Sequence, residues 1–349
     1  MGIKQLHIFI KKYLKKNNHL NDVYKEISME HFRNKTIAID VSIFMYKFKY
    51  KLQDNWLYGF YDMIQCFQNY GIKMIMILDG STLPAKKVEH EKRRKQQQKM
   101  KDNLDKLEEK LNDYIQNSNV HPELLELQKK YKSKINILLK PFQQEHEKKS
   151  IDIDMIQDII NKKKSQIIKI KKKDFDVLKE LLDICQIPFL VAKHEAEALC
   201  SQLCLSKKVD AVLTEDTDVL AYGTPCFIYK LNTLRGIFYY LEIEMILKYL
   251  DISLDQFRDF CIMCGTDYNT NVNKIGPVNS FKLIKEHKSL ETICEILEKK
   301  KKDTSVLQYK LCRSIFSNNE KQDVDFKMDN IYTIKDTLKW NEFKFKYNI

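Results

Sequence analysis

Residues 73–80, Lys-Met-Ile-Met-Ile-Leu-Asp-Gly, decide the fold of this chain. The apolar run 74–78 predicts a strand buried on both faces, as in a parallel sheet, and Asp79 follows that run directly. A similar run, 36–40, also ends in an acid, and apolar residues at helical spacing in 56–70 separate the two runs. The order strand, helix, strand predicts a parallel unit of two strands joined by a helix.

The same alternation continues along the chain. Further apolar runs lie at residues 187–192, 210–214, 226–231 and 237–241, and a helical pattern lies at 177–185. We therefore predict an α/β fold, with a mostly parallel sheet and helices on both faces. The binding site of such a fold lies beyond the carboxyl ends of its strands, so acids at those ends are candidate site residues.

One block of the chain departs from this alternation. Residues 86 to about 173 contain no Gly, and their leucines follow helical spacing. The pattern predicts long charged helices, broken near Pro122 and Pro141, that form a helical hairpin inserted between two parts of the sheet domain. Within the block, residues 161–173 carry seven Lys and no acid. Such a segment is either a solvated surface or a surface that binds a phosphate chain.

The composition favours a soluble, non-secreted protein with a polyanionic partner. The 349 residues include 60 Lys and Arg against 48 Asp and Glu, which gives a formal net charge of +12. No stretch is apolar enough to predict a membrane span, and the nine Cys show no disulfide framework spacing. Because only six of the basic residues are Arg, contacts to phosphates are favoured over reading of base sequence.

Seven acids stand after strand runs or in the turns near them. A single acid in such a place is usually a helix cap or a surface charge. Seven at one edge of a sheet cannot all ionise without cations, and carboxylate oxygens select Mg²⁺ or Mn²⁺. Two such ions held by shared carboxylates are the usual apparatus for displacement at a phosphodiester. The seven are Asp40, Asp79, Glu195, Glu197, Asp216, Asp218 and Asp267.

Two bases follow the second of these acids. Lys86 and Arg93 are seven residues apart, which is two helical turns, so they share one face of the helix predicted there. If that face meets the acids, the two bases would stabilise negative charge on a phosphate bound at the metals. The alternative is an ordinary pair of solvated bases.

Six short motifs occur in an order that is specific to one group of nucleases. Together they make the sequence resemble the flap endonuclease branch of the structure-specific 5′ nucleases, the xeroderma pigmentosum G type, from residue 1 to about residue 300 apart from the insert. The motifs are Met1-Gly2-Ile3, Ala38-Ile39-Asp40, Leu78-Asp79-Gly80, Glu195-Ala196-Glu197-Ala198, Thr214-Glu215-Asp216-Thr217-Asp218 and Gly265-Thr266-Asp267-Tyr268.

The resemblance implies a PIN-like (resolvase-like) α/β core with a helical arch insertion and a helix-two-turn-helix region. Residues 1–105 would form the N-terminal nuclease region with the start of the arch, and 106–175 an insert that extends the arch. Residues 176–268 would form the internal nuclease region, and 269–349 the helix-two-turn-helix and the C-terminal helices.

The resemblance also implies two Mg²⁺ or Mn²⁺ ions. The first would be held mainly by Asp40, Asp79, Glu195 and Glu197, and the second by Asp216, Asp218 and Asp267. Lys86 and Arg93 would lie on the arch helix and contact the scissile phosphate, with Asp216 essential for catalysis.

Further residues are assigned to DNA by the same resemblance. Tyr46 would stack on a base beside the cut, and Gly2 would place the amino group of the chain near the site. The segment 272–287 resembles the helix-two-turn-helix, in which Lys274 and Gly276 would grip the duplex backbone and main-chain carbonyls would bind K⁺.

Some features depart from the family pattern. Lys274 stands where the first Gly of a G-x-G-P turn is usual, and 101 residues separate Arg93 from Glu195. We recognise no motif in the C-terminal part that would bind a sliding clamp. The tail with Phe343 and Phe345 is a poor substitute for such a motif.

The sequence thus predicts a Mg²⁺-dependent endodeoxyribonuclease, monomeric by family resemblance, that removes 5′ flaps and trims 5′ ends of branched DNA in replication, repair or recombination. Three alternatives stay open: an exonuclease or junction-resolving member of the family, a catalytically inactive scaffold, and a basic DNA-binding protein without chemistry. A cellular protein would act in the nucleus and a viral one at a cytoplasmic replication site of the host. The Lys, Asn and Ile bias hints at an AT-rich, viral genome.

Overall fold

The computed structural model describes residues 2–138, 150–317, 322–324, 326 and 337–347, with the backbone alone for 134–138. The strands are β1 (Lys25–Ser28), β2 (Thr36–Asp40), β3 (Lys73–Leu78), β4 (Phe189–Val191), β5 (Ala211–Leu213), β6 (Cys226–Asn232) and β7 (Ile237–Glu242). The helices are α1 (Leu6–Lys16), α2 (Leu20–Val23), α3 (Val41–Leu52), α4 (Trp56–Asn69), α5 (Lys87–Asn117), α6 (Pro122–Leu138), α7 (Ile153–Lys164), α8 (Lys172–Ile184), α9 (Ala196–Leu205), α10 (Asp218–Ala221), α11 (Ile243–Leu250), α12 (Leu254–Cys264), α13 (Pro277–His287), α14 (Leu290–Lys299), α15 (Tyr309–Phe316) and α16 (Thr337–Tyr347).

All seven strands belong to one sheet, in the order β1-β7-β6-β5-β2-β3-β4. The five strands from β6 to β4 run parallel; β7 is antiparallel to β6, and β1 pairs antiparallel with β7 at that edge. The chain moves outward from β2 through β3 to β4 and then returns to the other side of β2 as β5, so the strand order reverses between β2 and β5. In open α/β sheets the binding site lies beyond the carboxyl ends of the strands at such a reversal. The predicted α/β fold with a mostly parallel sheet is confirmed.

Burial on both faces explains why the parallel strands read as uninterrupted apolar runs. In β2, Ala38 packs into a core shared with residues of α1, α9 and α12. Ile37 and Ile39 point to the opposite face and pack into a second core shared with residues of α3, α4 and α8. The helices therefore cover both faces of the sheet, as predicted.

Strand β1 is absent from the sequence-based prediction. Its four residues alternate between half-buried and exposed, and it pairs only with β7 at the antiparallel edge. A segment of four residues, two of them charged, gives too short a pattern to indicate a strand. Its position depends on a partner that lies more than 200 residues further along the chain.

Residues 90–169 form a compact unit of their own, separate from the unit made of residues 1–89 and 170–349. The charged block is helical, as its leucine spacing predicts, and α6 begins at Pro122. Leu111, Leu124 and Ile160 are buried in the small apolar core of this unit. The predicted break at Pro141 lies outside the described residues, and the predicted division at residues 105, 175 and 268 stays a prediction.

Helix α16 completes the core on one face of the sheet. Trp340 and Phe343 are buried there, and the ring of Trp340 lies 4.9 Å from that of Tyr61 on α4. Phe345 on the same helix is 94% exposed. Trp340 and Phe343 are therefore structural, whereas Phe345 is not part of the core. In the described part of the chain, no helix is both long and apolar enough to cross a bilayer.

Candidate active site

Strands β2 and β3 each lead into an acid that the neighbouring turns hold in place. Asp40 is 3% exposed, caps α3 by accepting the backbone N–H of Ser42 (3.2 Å), and accepts the hydroxyl of Thr214 (2.8 Å). Asp79 accepts the backbone N–H of Ala196 (2.8 Å) and the hydroxyl of Ser42. Ser42 donates to both carboxylates, Thr214 to Asp40 and Ala196 to Asp79, so three segments of the chain orient this pair of acids.

A buried lysine lies among three further carboxylates. Glu195 is the N-cap residue of α9, and Glu197 lies in the first turn of that helix. Lys86 is 6% exposed, and its Nζ lies 2.5 Å from Glu195 Oε2, 3.4 Å from Asp267 Oδ2 and 3.6 Å from Glu197 Oε1. Burial lowers the pKa of Lys86, but the negative charges of Glu197 and Glu195 outweigh it, so its pKa is raised overall. The ammonium group stays charged.

The turn after β5 brings two more acids to the same edge of the sheet. The hydroxyl of Thr214 accepts the backbone N–H of Asp216 (3.1 Å), so one hydroxyl group links Asp216 to Asp40. Asp216 Oδ1 in turn accepts the N–H of Asp218 (3.0 Å). Asp218 is 1% exposed, and neither of its carboxylate oxygens has a hydrogen-bond partner among the described residues.

Crowding of buried carboxylates perturbs their ionisation. Burial, and then repulsion from Asp79, raises the pKa of Asp40 to about 8. Burial is also the largest cause that raises the pKa values of Glu197, Asp216 and Asp218, with repulsion from neighbouring carboxylates added to it. Burial and repulsion therefore disfavour the ionised form of these four carboxylates, and a bound cation would favour it.

The donor set of the cluster fits hard divalent cations. Asp79, Glu195 and Glu197 each offer a carboxylate oxygen, and these oxygens all lie within 4.8 Å of one another. The unpartnered carboxylate of Asp218 is a second group that needs a cation, since a buried charge without a partner is costly. Oxygen ligands suit Mg²⁺ and Mn²⁺, whereas zinc sites are usually built with His and Cys.

The N-terminal segment closes one side of the cluster. Gly2 has a φ of +83°, and a Cβ at this position would lie 2.1 Å from Asp216 Oδ1 and 2.8 Å from Asp218 Oδ1. The backbone N–H of Ile3 donates to the hydroxyl of Thr217 (2.9 Å), and that of Lys4 to the carbonyl of Gly265 (3.0 Å). A glycine is required here because the backbone passes too close to the acids for a side chain.

Comparison with known proteins assigns the family. Residues 1–100 match the XPG N-terminal domain and residues 186–267 match the XPG I-region, and the two segments together contain all seven acids. Over 346 residues the chain is 30% identical to the "Probable RAD2-like endonuclease 076L" of Invertebrate iridescent virus 3, covering 90% of this chain and 85% of that protein. The chain belongs to the XPG and RAD2-like 5′ nuclease family.

Other relatives agree with this assignment. The nuclease is 31% identical over 352 residues to the "Probable RAD2-like endonuclease 369L" of Invertebrate iridescent virus 6, covering 93% of this chain and 81% of that protein. It is 37% identical over 188 residues to flap endonuclease 1 of Tetrahymena thermophila, covering 51% of this chain and 49% of the relative. The resemblance stated from the motifs is therefore confirmed.

Solved structures support the fold. The catalytic core of Rad2 in complex with a DNA substrate aligns with a TM-score of 0.58 at 17% identity, covering 99% of this chain and 95% of that one. The flap endonuclease-1 of Methanococcus jannaschii aligns with a TM-score of 0.52 at 21% identity, covering 86% of this chain and 84% of that one. The predicted PIN-like core is thereby confirmed as the fold of this nuclease.

The remaining predicted residues of the nuclease lie on α3, on α5 and just before α13. Tyr46 is on α3 with 43% of its surface exposed, and Arg93 is on α5 in the unit 90–169. Lys274 has a φ of +63°, a left-handed conformation that is strained for a lysine. Gly276 caps α13, which starts at Pro277.

Sequence reasoning missed two hydroxyl groups of the site, those of Ser42 and Thr214. The Thr214 hydroxyl donates to Asp40 and accepts the backbone N–H of Asp216. The Ser42 hydroxyl donates to Asp79, while the backbone N–H of the same residue donates to Asp40. A usable signal was present, since each hydroxyl lies two residues from a candidate ligand. Hydroxyl side chains at that spacing often bond back to a turn.

Proposed function

We propose that this nuclease hydrolyses phosphodiesters of branched DNA at the junction of single strand and duplex, and that it removes 5′ flaps. The observation that carries the proposal is the cluster of carboxylates at the strand reversal, three of which, Glu195, Glu197 and Asp267, surround the buried ammonium of Lys86. The names of its relatives, RAD2-like endonuclease and flap endonuclease 1, support this choice of reaction and substrate. The intact set of acids speaks against an inactive scaffold.

The proposed cofactors are two Mg²⁺ or Mn²⁺ ions. When bound, such ions activate a water molecule and stabilise the leaving oxygen of an in-line displacement. Hydrogen bonds from Thr214 and Ser42 hold the carboxylates in fixed directions for them. The first ion would be held by Asp40, Asp79, Glu195 and Glu197, and the second by Asp216, Asp218 and Asp267.

Lys86 is the proposed electrostatic catalyst among the side chains. Its charge is shielded from solvent, so salt screens it little, and it already lies beside ligands proposed for both ions. We expect its Nζ to donate to a non-bridging oxygen of the scissile phosphate and to stabilise the charge that develops there. Arg93 is proposed to assist it from helix α5.

The remaining DNA contacts are proposed by position. The exposed ring of Tyr46 would stack on a base next to the cut, because stacking accepts any base. The amide groups at the start of α13, with Lys274 and Gly276, would bind the duplex backbone, and neighbouring carbonyls would hold K⁺. The nuclease would act as a monomer at sites of DNA replication or repair, which for a viral protein lie with the replicating viral DNA.

A panel of end-labelled DNAs tests the proposed function. We expect Mg²⁺-dependent cleavage of a 5′ flap within one or two nucleotides of the junction, slower trimming of a nicked 5′ end, and little cutting of a four-way junction. Chelation of the metal should stop all cleavage. Mononucleotide products from every substrate would instead indicate an exonuclease, paired nicks in the four-way junction would indicate a resolving enzyme, and no cleavage at all would contradict the proposal.

Gly2→Ala tests the role of the N-terminal segment. The added methyl group would overlap Asp216 Oδ1, so either the segment or the carboxylate must move. We expect flap cleavage to fall at least tenfold, in line with the roughly 10- to 100-fold cost of disturbing groups that orient metal ligands. A calorimetric Mg²⁺ titration should show weaker binding. Unchanged cleavage and unchanged Mg²⁺ affinity would show that the segment does not support the site.

A further inference from the structure

The turn between β4 and α9, residues 192–195, supports three of the proposed metal ligands. Glu195 ends this turn, and Glu197 follows it in the first turn of α9. The backbone N–H of Ala196 donates to Asp79 (2.8 Å). The carboxylate oxygens of these same three acids lie within 4.8 Å of one another. A shift of the turn would therefore displace all three ligands together.

The inner side of the turn is held by the segment that follows β3. The backbone N–H of Gly80 donates to the carbonyl of His194 (2.7 Å). The N–H and the hydroxyl of Ser81 both donate to the carbonyl of Lys193 (3.1 and 3.0 Å). In the described part of the chain β4 is the last strand of the sheet, so its outer edge needs a different kind of partner.

The side-chain amide of Gln322 pairs with that outer edge. Its oxygen accepts the backbone N–H of Lys193 (2.7 Å), and its nitrogen donates to the carbonyl of Val191 (3.2 Å). A side-chain amide carries both a donor and an acceptor, as a peptide group does, so it can bond an edge as a neighbouring strand would. The two bonds lie on either side of residue 192, where β4 passes into the turn.

The backbone of Gln322 is in turn fixed to helix α9. Its N–H donates to Oε1 of Gln202 (3.0 Å), and its carbonyl accepts from Nε2 of the same side chain (2.6 Å). Two residues further on, the carbonyl of Val324 accepts from Nζ of Lys208 (2.5 Å), and the side chain of Val324 is buried in the core. Gln322 therefore joins the end of β4 to the helix that carries Glu197.

We propose that Gln322 is a positioning residue of the metal centre and acts through the backbone of residues 191–193. It lies outside the segments that match the family models, residues 1–100 and 186–267. By fixing the outer side of the turn, it keeps Glu195 and Glu197 at the separation that suits the first ion. The inference rests on the proposed function, and it adds a support from the C-terminal part of the chain.

Gln322→Ala tests this role, because it removes both bonds to β4 and leaves the backbone bonds to Gln202. Calorimetric titration should show Mg²⁺ binding about tenfold weaker than in the wild type, at the lower end of the usual cost of losing a group that orients metal ligands. The Mg²⁺ concentration for half-maximal flap cleavage should rise by a similar factor. At low Mg²⁺, kcat should fall while the KM for the flap stays the same, and high Mg²⁺ should restore most of the rate.

Asp323→Ala is the matched control. It shortens the neighbouring, exposed side chain of the same segment, and it should leave both Mg²⁺ affinity and cleavage unchanged. A residue that only stabilised the fold would lower the Tm in chelator without changing the affinity for Mg²⁺. That result for Gln322→Ala would overturn the proposal.

Gln202→Ala tests the same connection from α9, and it replaces Gln322→Ala if that variant does not fold. It should weaken Mg²⁺ binding by a similar factor. The double variant should be no weaker than the weaker single variant, because the two side chains act in series. Effects that multiply, or an unchanged Mg²⁺ affinity, would overturn the proposal. Failure of the wild type to cleave any flap would instead contradict the proposed function, and the calorimetric comparison would still decide the role of Gln322.

Discussion

Asp216→Asn should abolish cleavage of a 5′ flap and leave DNA binding largely intact. The substitution keeps the shape of the side chain but removes a charge from a buried cluster that needs cations. We expect kcat to fall by at least about 1,000-fold, more than the roughly 10- to 100-fold cost of losing a group that only orients a metal ligand. Single-turnover cleavage in Mg²⁺ measures the loss, and fluorescence anisotropy with Ca²⁺ measures binding.

Asp62→Asn is the matched control for this variant. Asp62 is exposed on α4, so the same substitution there removes the same charge from the surface. Its cleavage rate should equal that of the wild type. A thermal melt adds a second measurement: Mg²⁺ should raise the Tm of the wild type and of Asp62→Asn more than that of Asp216→Asn. Undiminished cleavage by Asp216→Asn would contradict the proposed metal centre.

Lys86→Met should lower kcat for flap cleavage by about 100- to 1,000-fold, the usual cost of removing one preorganised donor to a transition-state charge. The same substitution should destabilise the metal-free protein. It leaves Glu195, Glu197 and Asp267 without the ammonium that now lies among them. Breaking such a buried arrangement typically costs about 3 kcal/mol.

The stability part of this prediction depends on metal. In chelator, the Tm of Lys86→Met should lie well below that of the wild type, and Mg²⁺ should recover most of the difference because it replaces the lost positive charge. Lys248→Met, on the exposed face of α11, is the control and should change neither rate nor Tm. If Lys86→Met cleaved at the wild-type rate, the lysine would be a structural counter-ion and not a catalyst.

Much of the fold could be predicted because the informative signals are local. The run ending at Asp40 matches β2 residue for residue, and the run before Asp79 matches β3. A strand buried on both faces must be apolar throughout, so its sequence carries the signal by itself. Strand β1 and helix α16 could not be predicted in this way, because each is stabilised by partners that are distant in sequence.

Some features of the candidate site could likewise be predicted from the sequence, and others depend on the fold. The seven acids could be named from their positions after apolar runs and from the order of the family motifs. The double role of Thr214, which bonds both Asp40 and Asp216, could not, because it depends on β2 and β5 being neighbours in the sheet. The partnerless carboxylate of Asp218 is likewise a result of packing.

Sequence alone determined which residues could bind metal ions or phosphate. These are the seven acids, the base Lys86 and the many other lysines, whose excess suits a phosphate chain. Tertiary structure alone decided how those groups meet. The reversal of strand order between β2 and β5 brings carboxylates from distant segments to one edge. Burial at that edge raises the pKa values of Asp40, Glu197, Asp216 and Asp218. Folding of the segment before α5 sets Lys86 among Glu195, Glu197 and Asp267. Ionisable groups are local features of a chain, but their energies depend on distance and solvent exclusion, which only the folded molecule defines.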